Sequence, residues 1–138
     1  MRIEETDDLA ACHMLRRRVF IDEQAVPEAD EMDDLDDLAI HLLGQDEDGP
    51  WGTARLFVQG DTGKIGRVCV LPRMRGTGAG AALMRAALDA LRARPGVVRA
   101  KLSSQVHAIG FYEKLGFAAH GPVYDDAGIP HRDMSREL

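Results

Sequence analysis

Residues 65–83, IGRVCVLPRMRGTGAGAAL, constrain this chain more than any other stretch. An apolar, β-branched run stops at Pro72, which has no N–H to continue a ladder. Arg73 and Arg75 follow, then glycine at positions 76, 78 and 80, then alanine-rich helical sequence. Glycine accepts positive φ and carries no Cβ, so a ligand can come close to the main chain. A helix N-terminus leaves N–H groups unpaired and carries about half a positive charge. This order of residues therefore builds a bed for phosphate, and the arginines add complementary charge. A sharp turn that needs glycine only for its conformation is the plainer alternative.

Three kinds of phosphate loop compete for the segment. A nucleoside-triphosphatase loop ends in Gly-Lys-Ser/Thr, which is missing here. The dinucleotide fingerprint is formally met by Gly76-Thr77-Gly78-Ala79-Gly80-Ala81. It calls for an acidic residue about 20 positions later to hold a ribose. The next predicted strand, 97–102, instead runs into Ser103 and Ser104, and residues 72–75 separate the first strand from the glycines.

The third kind fits. The segment resembles the acyl-coenzyme A loop of the GNAT superfamily of N-acetyltransferases, Q/R-x-x-G-x-G/A, read as Arg75-Gly76-Thr77-Gly78-Ala79-Gly80. A second register starts at Arg73. The first sets Leu83 at the first buried leucine of the helix. A second phrase, QVHAIGFYEKLGF at 105–117, is similar to the late helix of that family. Val106, Ile109, Tyr112 and Leu115 recur every three residues and predict one buried side. Gly116 suits the left-handed position after the last turn. A third match, VFIDEQAVPEADEMDDLDDLAIH at 19–41 with GIPH at 128–131, resembles the ElaA/YjcF-like branch of small acyltransferases. Together the likeness spans residues 9–138.

The resemblance implies an α/β three-layer sandwich: a mixed, mostly antiparallel twisted sheet flanked by about four helices. It implies transfer of an acetyl group from acetyl-CoA to the amine of a small acceptor, with both bound at once. The strand before the glycine loop is expected to splay from its neighbour, so that Val68, Cys69 and Val70 meet the pantetheine arm and the acyl carbonyl. Arg75, Gly76, Thr77, Gly78, Ala79 and Gly80 map to the diphosphate. Gln105 stands where many relatives carry an asparagine that touches the cofactor. Tyr112 maps to the proton donor for the departing thiolate; a core tyrosine bonded to a backbone carbonyl is the alternative. Glu23 and His41 are the candidate bases. Arg67, Glu31 and His131 are the candidate acceptor-pocket residues, Arg67 either orienting a carboxylate or making a structural pair. An acyl-CoA sensor without turnover and a protein acetyltransferase are the other readings.

Bulk properties narrow the classes. The 138 residues form one domain, large enough for one core. The net charge of −6 argues against a nucleic-acid partner. No run of apolar residues reaches membrane-span length and no apolar leader follows Met1, so the expected compartment is the cytoplasm. A homodimer is compatible with the sequence. Cys12 and Cys69 do not make a disulfide framework, and Cys69, between two valines, reads as a core or pocket residue. No zinc spacing is present.

Residues 28–37 hold seven acids and no base; without these seven negative charges the net −6 becomes +1. Such a run is expected to face water. An acceptor gate that attracts cationic amines is the sharper reading. Calcium is a third, though the EF-hand spacing is lacking.

The predicted elements are a first helix capped by Asp7 or Asp8 and running to about Asp22, strands at 38–45, 51–59 and 64–71, a helix at 79–93, a strand at 97–102, a helix at 105–115, and strands at 117–124 and 131–137. Only residues 1–5 precede the first helix, so the first strand is expected to be abbreviated.

Overall fold

A computed structural model describes all residues from Met1 to Leu138. Seven strands, β1 (Arg2–Thr6), β2 (Ile40–Asp46), β3 (Gly49–Gln59), β4 (Thr62–Val70), β5 (Arg99–Gln105), β6 (Ala118–Asp126) and β7 (Ile129–Glu137), form one sheet in the order β1-β2-β3-β4-β5-β7-β6. Only β4 and β5 run parallel. The helices are α1 (Leu9–Arg16), α2 (Glu28–Glu31), α3 (Ala79–Arg92) and α4 (Ile109–Glu113). None is long and apolar enough to cross a membrane.

The layers follow from strand alternation. Leu42 and Leu43 are neighbours on β2, so their side chains leave opposite faces of the sheet. Leu42 joins a core in which Leu83, Met84, Ala87, Leu88 and Leu91 of α3 cover Trp51, Leu56, Ile65 and Leu102. Leu43 joins a smaller cluster with Cys12, Leu15 and Val19 of the first helical segment, Cys69 and Leu71. Helices on both faces, α3 and α4 on one and the first helical segment on the other, give the expected three-layer sandwich.

Several boundaries differ from the sequence reading. The Asp8 carboxylate accepts from the Ala11 N–H at 3.1 Å and caps α1 as expected. The regular helix stops at Arg16 and continues in wider π turns over Arg17–Glu23. The first strand is complete: all five residues of β1 pair with β2, from Arg2↔Gln45 to Thr6↔His41. Its RIEET sequence hides this because an edge strand needs little apolar surface. The late helix begins as a 3-10 turn over Val106–Ala108, and Gln105 belongs to β5. That tighter turn takes Val106 off the stripe, leaving it 40% exposed. Gly116 is left-handed as expected, at φ 89°.

The parting of β4 and β5 organises everything that follows. Their pairing ends at Ile65↔Leu102. Beyond it β4 stays with β3 as far as Val70↔Gly52, and β5 stays with β7 as far as Gln105↔His131. Each strand keeps its outer partner while losing the inner one, so a cleft opens between them. A bulge marks the start. Thr53 faces Cys69 and Arg55 faces Gly66, so Ala54 alone spans Arg67 and Val68. Arg67 adopts φ 47°, in the left-handed region.

The acidic segment divides: Glu28, Asp30, Asp34 and Asp37 face water as expected of a charge run, while Glu31, Asp33 and Asp36 turn to arginines. Glu31 is 3% exposed, and its carboxylate accepts from Arg16 Nε at 2.7 Å. Arg16, itself 1% exposed, also reaches Asp36 at 2.9 Å. Arg55 donates to Asp33 at 2.8 and 3.0 Å and to Asp36 at 3.1 Å. His13 completes the set at 2.7 Å from Asp36. Burial raises the Asp36 carboxyl, but hydrogen bonds from His13, Arg16 and Arg55 outweigh it and hold the group well below the usual carboxylate range. No three His, Cys, Asp or Glu side chains are gathered as a metal site would gather them.

Removing one member of a buried pair leaves the other charge uncompensated, at about 3–5 kcal/mol. Arg16→Ala should therefore lower the unfolding free energy in urea by about that much. The double change Arg16→Met with Glu31→Leu should recover part of the loss, because it removes both charges of that pair while Asp36 keeps only His13 and Arg55.

Candidate active site

A cavity of about 860 Å³ occupies the cleft. Val68, Cys69 and Val70 of β4 line one wall, Ser103 and Gln105 of β5 the other, and Tyr112 and His131 close it from α4 and β7. The end of the first helical segment, Glu23 and Gln24, borders it as well.

The glycine loop stands next to this cavity at the start of α3. Gly76 and Gly78 have φ 74° and 86°, and a Cβ built on either would meet nothing within 4 Å. The main chain is thus exposed on the side a ligand would use. Ala79 N–H has a long contact to Thr77 Oγ1 at 3.4 Å. The N–H groups of Gly76, Thr77, Gly78, Gly80 and Ala81 donate to no protein acceptor outside the helix ladder, and α3 has no side-chain cap. Convergent free N–H groups, space above them and a helix dipole behind them fit a diphosphate.

The two arginines of the loop diverge. Arg73 turns away to the β2–β3 turn, donating to both Asp46 oxygens at 2.9 and 3.0 Å. Arg75 turns to the cavity. Its Nε donates to the Val70 carbonyl at 3.1 Å, and its two terminal nitrogens bind the Glu23 carboxylate, one of them at 2.7 Å. The hydrogen bonds from Arg75 hold the Glu23 carboxyl below its ordinary range. Glu23 is therefore a tied carboxylate and not a free base in this state.

Tyr112 packs edge-on against Phe111 and Phe117, at centroid distances of 5.0 and 6.2 Å. Burial pushes its phenol up to about 12, so the proton stays on. No hydrogen bond within the protein involves its hydroxyl, in contrast to the core-tyrosine alternative. Cys69 is 4% exposed, and burial raises its thiol to about 12. That environment suppresses the thiolate a nucleophile needs.

Gln105 is held on both sides: its amide nitrogen donates to Gln24 Oε1 at 2.9 Å, and its oxygen lies 2.7 Å from His107 Nε2. His131 Nδ1 lies 2.7 Å from the Ile129 carbonyl. A carbonyl only accepts, so Nδ1 carries a proton and Nε2 of the neutral ring keeps a lone pair. Ser103 Oγ, Tyr124 Oη and Asp133 Oδ1 form a hydrogen-bonded row beside it, the Tyr124–Asp133 link being 2.7 Å.

Three sequence-derived candidates sit differently from expectation. His41 is 5% exposed, lies outside the cavity lining, and binds the Asp36 carbonyl through Nε2 at 2.9 Å. Its buried Nδ1 has no partner, and the ring stands outside the cleft in which a base would meet an acceptor. Glu31 borders the cavity, but its carboxylate is spent on Arg16. Arg67 donates to the Glu31 carbonyl at 3.1 Å and to Asp33 at 3.3 Å. It makes the structural pair, not a free carboxylate clamp. Burial and the neighbouring Arg55 lower its affinity for its proton relative to an ordinary arginine.

The sequence reading missed Gln24, Ser103, His107 and Tyr124. Gln24 carried a signal, since it adjoins Glu23 in the phrase VFIDEQ. His107 adjoins Gln105 in the same phrase, whereas Ser103 and Tyr124 carried no signal because their partners come from other strands.

Comparison with known proteins agrees with this geometry. The family model for the acetyltransferase (GNAT) domain matches residues 5–138. The uncharacterised N-acetyltransferase YjcF of Bacillus subtilis (strain 168) is 33% identical over 95% of this chain and 94% of its own. The crystal structure of Escherichia coli ElaA is 31% identical, covers 99% of both chains and superposes with a TM-score of 0.87. An acyl-CoA N-acyltransferase from Pseudomonas aeruginosa is 32% identical over 98% of this chain and 97% of its own, with a TM-score of 0.86. With the family model matching nearly the whole chain and relatives above 30% identity covered almost end to end, this chain belongs to the GNAT acetyltransferases.

Proposed function

We propose that the protein transfers an acetyl group from acetyl-CoA to the amine of a small acceptor, both held in the cleft between β4 and β5. The observation that carries this reading is the parting of the two strands above a tyrosine hydroxyl with no protein partner. On its cleft side Val68–Val70 has no strand partner, and this edge can accept an extended, amide-bearing arm as an added strand. Arg75 and the N–H groups from Gly76 to Ala81 would hold a diphosphate at the cleft's end. A thioester bound there supplies an activated acyl carbon and a sulfur leaving group.

The residues then divide two proton tasks. His131, which lines the cavity and keeps a lone pair on Nε2, takes a proton from the acceptor ammonium so that nitrogen can attack. As the new C–N bond forms and the C–S bond breaks, Tyr112 gives its proton to the departing sulfur, the nitrogen sheds its second proton to solvent, and Tyr112 and His131 return to their starting states by exchanging protons with solvent. A main-chain N–H of β4 aimed at the acyl oxygen would stabilise its developing charge by about 3 kcal/mol. The cavity must admit donor arm and acceptor together within about 860 Å³, which favours a small acceptor.

A panel of amines offered with acetyl-CoA, followed by free-thiol release, tests the activity. Tyr112→Phe should lower kcat by about 100-fold or more while leaving coenzyme A affinity unchanged within error. His131→Gln should lower kcat/KM by a similar factor of about 100. Gly78→Val should abolish coenzyme A binding in calorimetry, because φ 86° strains any side chain and the new methyls would cover the N–H bed.

A further inference from the structure

Glu23 and Gln24 are consecutive residues at the close of the π turns that follow α1, and they reach opposite walls of the cleft. Glu23 binds Arg75, just beyond the end of β4. Gln24 accepts from Gln105, the last residue of β5. One helix end thus spans the mouth of the split and engages two polar groups that the proposed donor site needs. On the Arg75 side the engagement is competitive: Nε and both terminal nitrogens already have acceptors, Val70 O and the two Glu23 oxygens. A diphosphate arriving at the loop meets an arginine whose charge is already balanced.

We propose that Glu23 is a donor-gated carboxylate. It competes with the diphosphate for Arg75 and, once displaced, presents its charge to the cavity as the contact for an acceptor ammonium. This rests on the donor reading above and adds an order to it. Arg75 is the one charged partner of the Glu23 carboxylate, so losing it leaves an unpaired anion at the cavity edge. By linkage, whatever strengthens the ammonium contact strengthens donor binding by the same factor. The acceptor's anionic contact is therefore weak until the donor is in place. The helical turn carrying Glu23 stays tied through Gln24, so the freed side chain swings on a fixed backbone.

Calorimetry with free coenzyme A on wild type and Glu23→Gln gives the first readout. An exposed ion pair is modest, so the variant should bind about two- to fivefold tighter at low salt, with the gain shrinking at high salt. The second readout needs no variant and decides the matter even if Glu23→Gln does not fold. In the full wild-type chain, the Glu23 carboxyl carbon is followed by NMR. Its titration midpoint should rise toward the ordinary glutamate range on saturation with coenzyme A. Methylammonium should then perturb that resonance in the presence of coenzyme A and not in its absence. Equal affinities for the two proteins, a midpoint that coenzyme A does not move, or a methylammonium response independent of coenzyme A would each overturn the gating while leaving the donor site standing. Absence of any heat with wild type would remove the donor site and the gating together.

Discussion

The structure depends on a single interruption: β4 and β5 stop pairing after Ile65↔Leu102. Two adjacent parallel strands gain from continuing their ladder, so the break has to be enforced. The bulge opposite Ala54 and the left-handed Arg67 turn β4 aside, while β3 and β7 keep hold of the outer edges. A non-glycine residue at φ 47° costs of order 1–3 kcal/mol and persists only where its surroundings fix it. Here the guanidinium of the strained residue is anchored to the acidic segment, at the Glu31 carbonyl and Asp33.

That anchoring gives the acidic segment a structural purpose. Glu31, Asp33 and Asp36 turn inward to Arg16, Arg55 and Arg67, joining the first helix, β3 and the β4 bulge. Within the low dielectric of the domain such a network is costly to leave half-made, so its members hold one another in place. The same segment borders the cavity. Fold stability and the shape of that side of the cavity are therefore set by the same charges, and all three carboxylates are already paired with arginines.

The proposed chemistry sits where the backbone and side chains are least satisfied. The cleft side of β4 has no strand beside it, and the N-terminal turn of α3 and the hydroxyl of Tyr112 carry polar groups without a protein partner. Each is supported by a well-packed neighbour: α3 by its leucine stripe over Trp51 and Ile65, and Tyr112 by Phe111 and Phe117. Glu23 and Gln24 then tie the first helical segment to both sides of the opening.

Local sequence determined what local physics controls. Positive-φ glycines, the stop at Pro72 and the periodicity of α3 are short-range properties, so the loop and its helix were legible from residues 65–91. Tyr112 was legible through its phrase, and the order of strands and helices through alternating patterns. The pairing of charges was not legible. Glu31 and Arg67 are 36 positions apart, and a run of acids looks solvated until distant arginines are folded against it. His41 and His131 likewise read alike as lone polar residues in strands. Only the sheet register and the hydrogen bonds it permits bury one ring beside Asp36 and turn the other toward the cleft. Tertiary structure decided these points because charge pairing and side-chain exposure depend on which strands become neighbours, and no local stretch of chain encodes that.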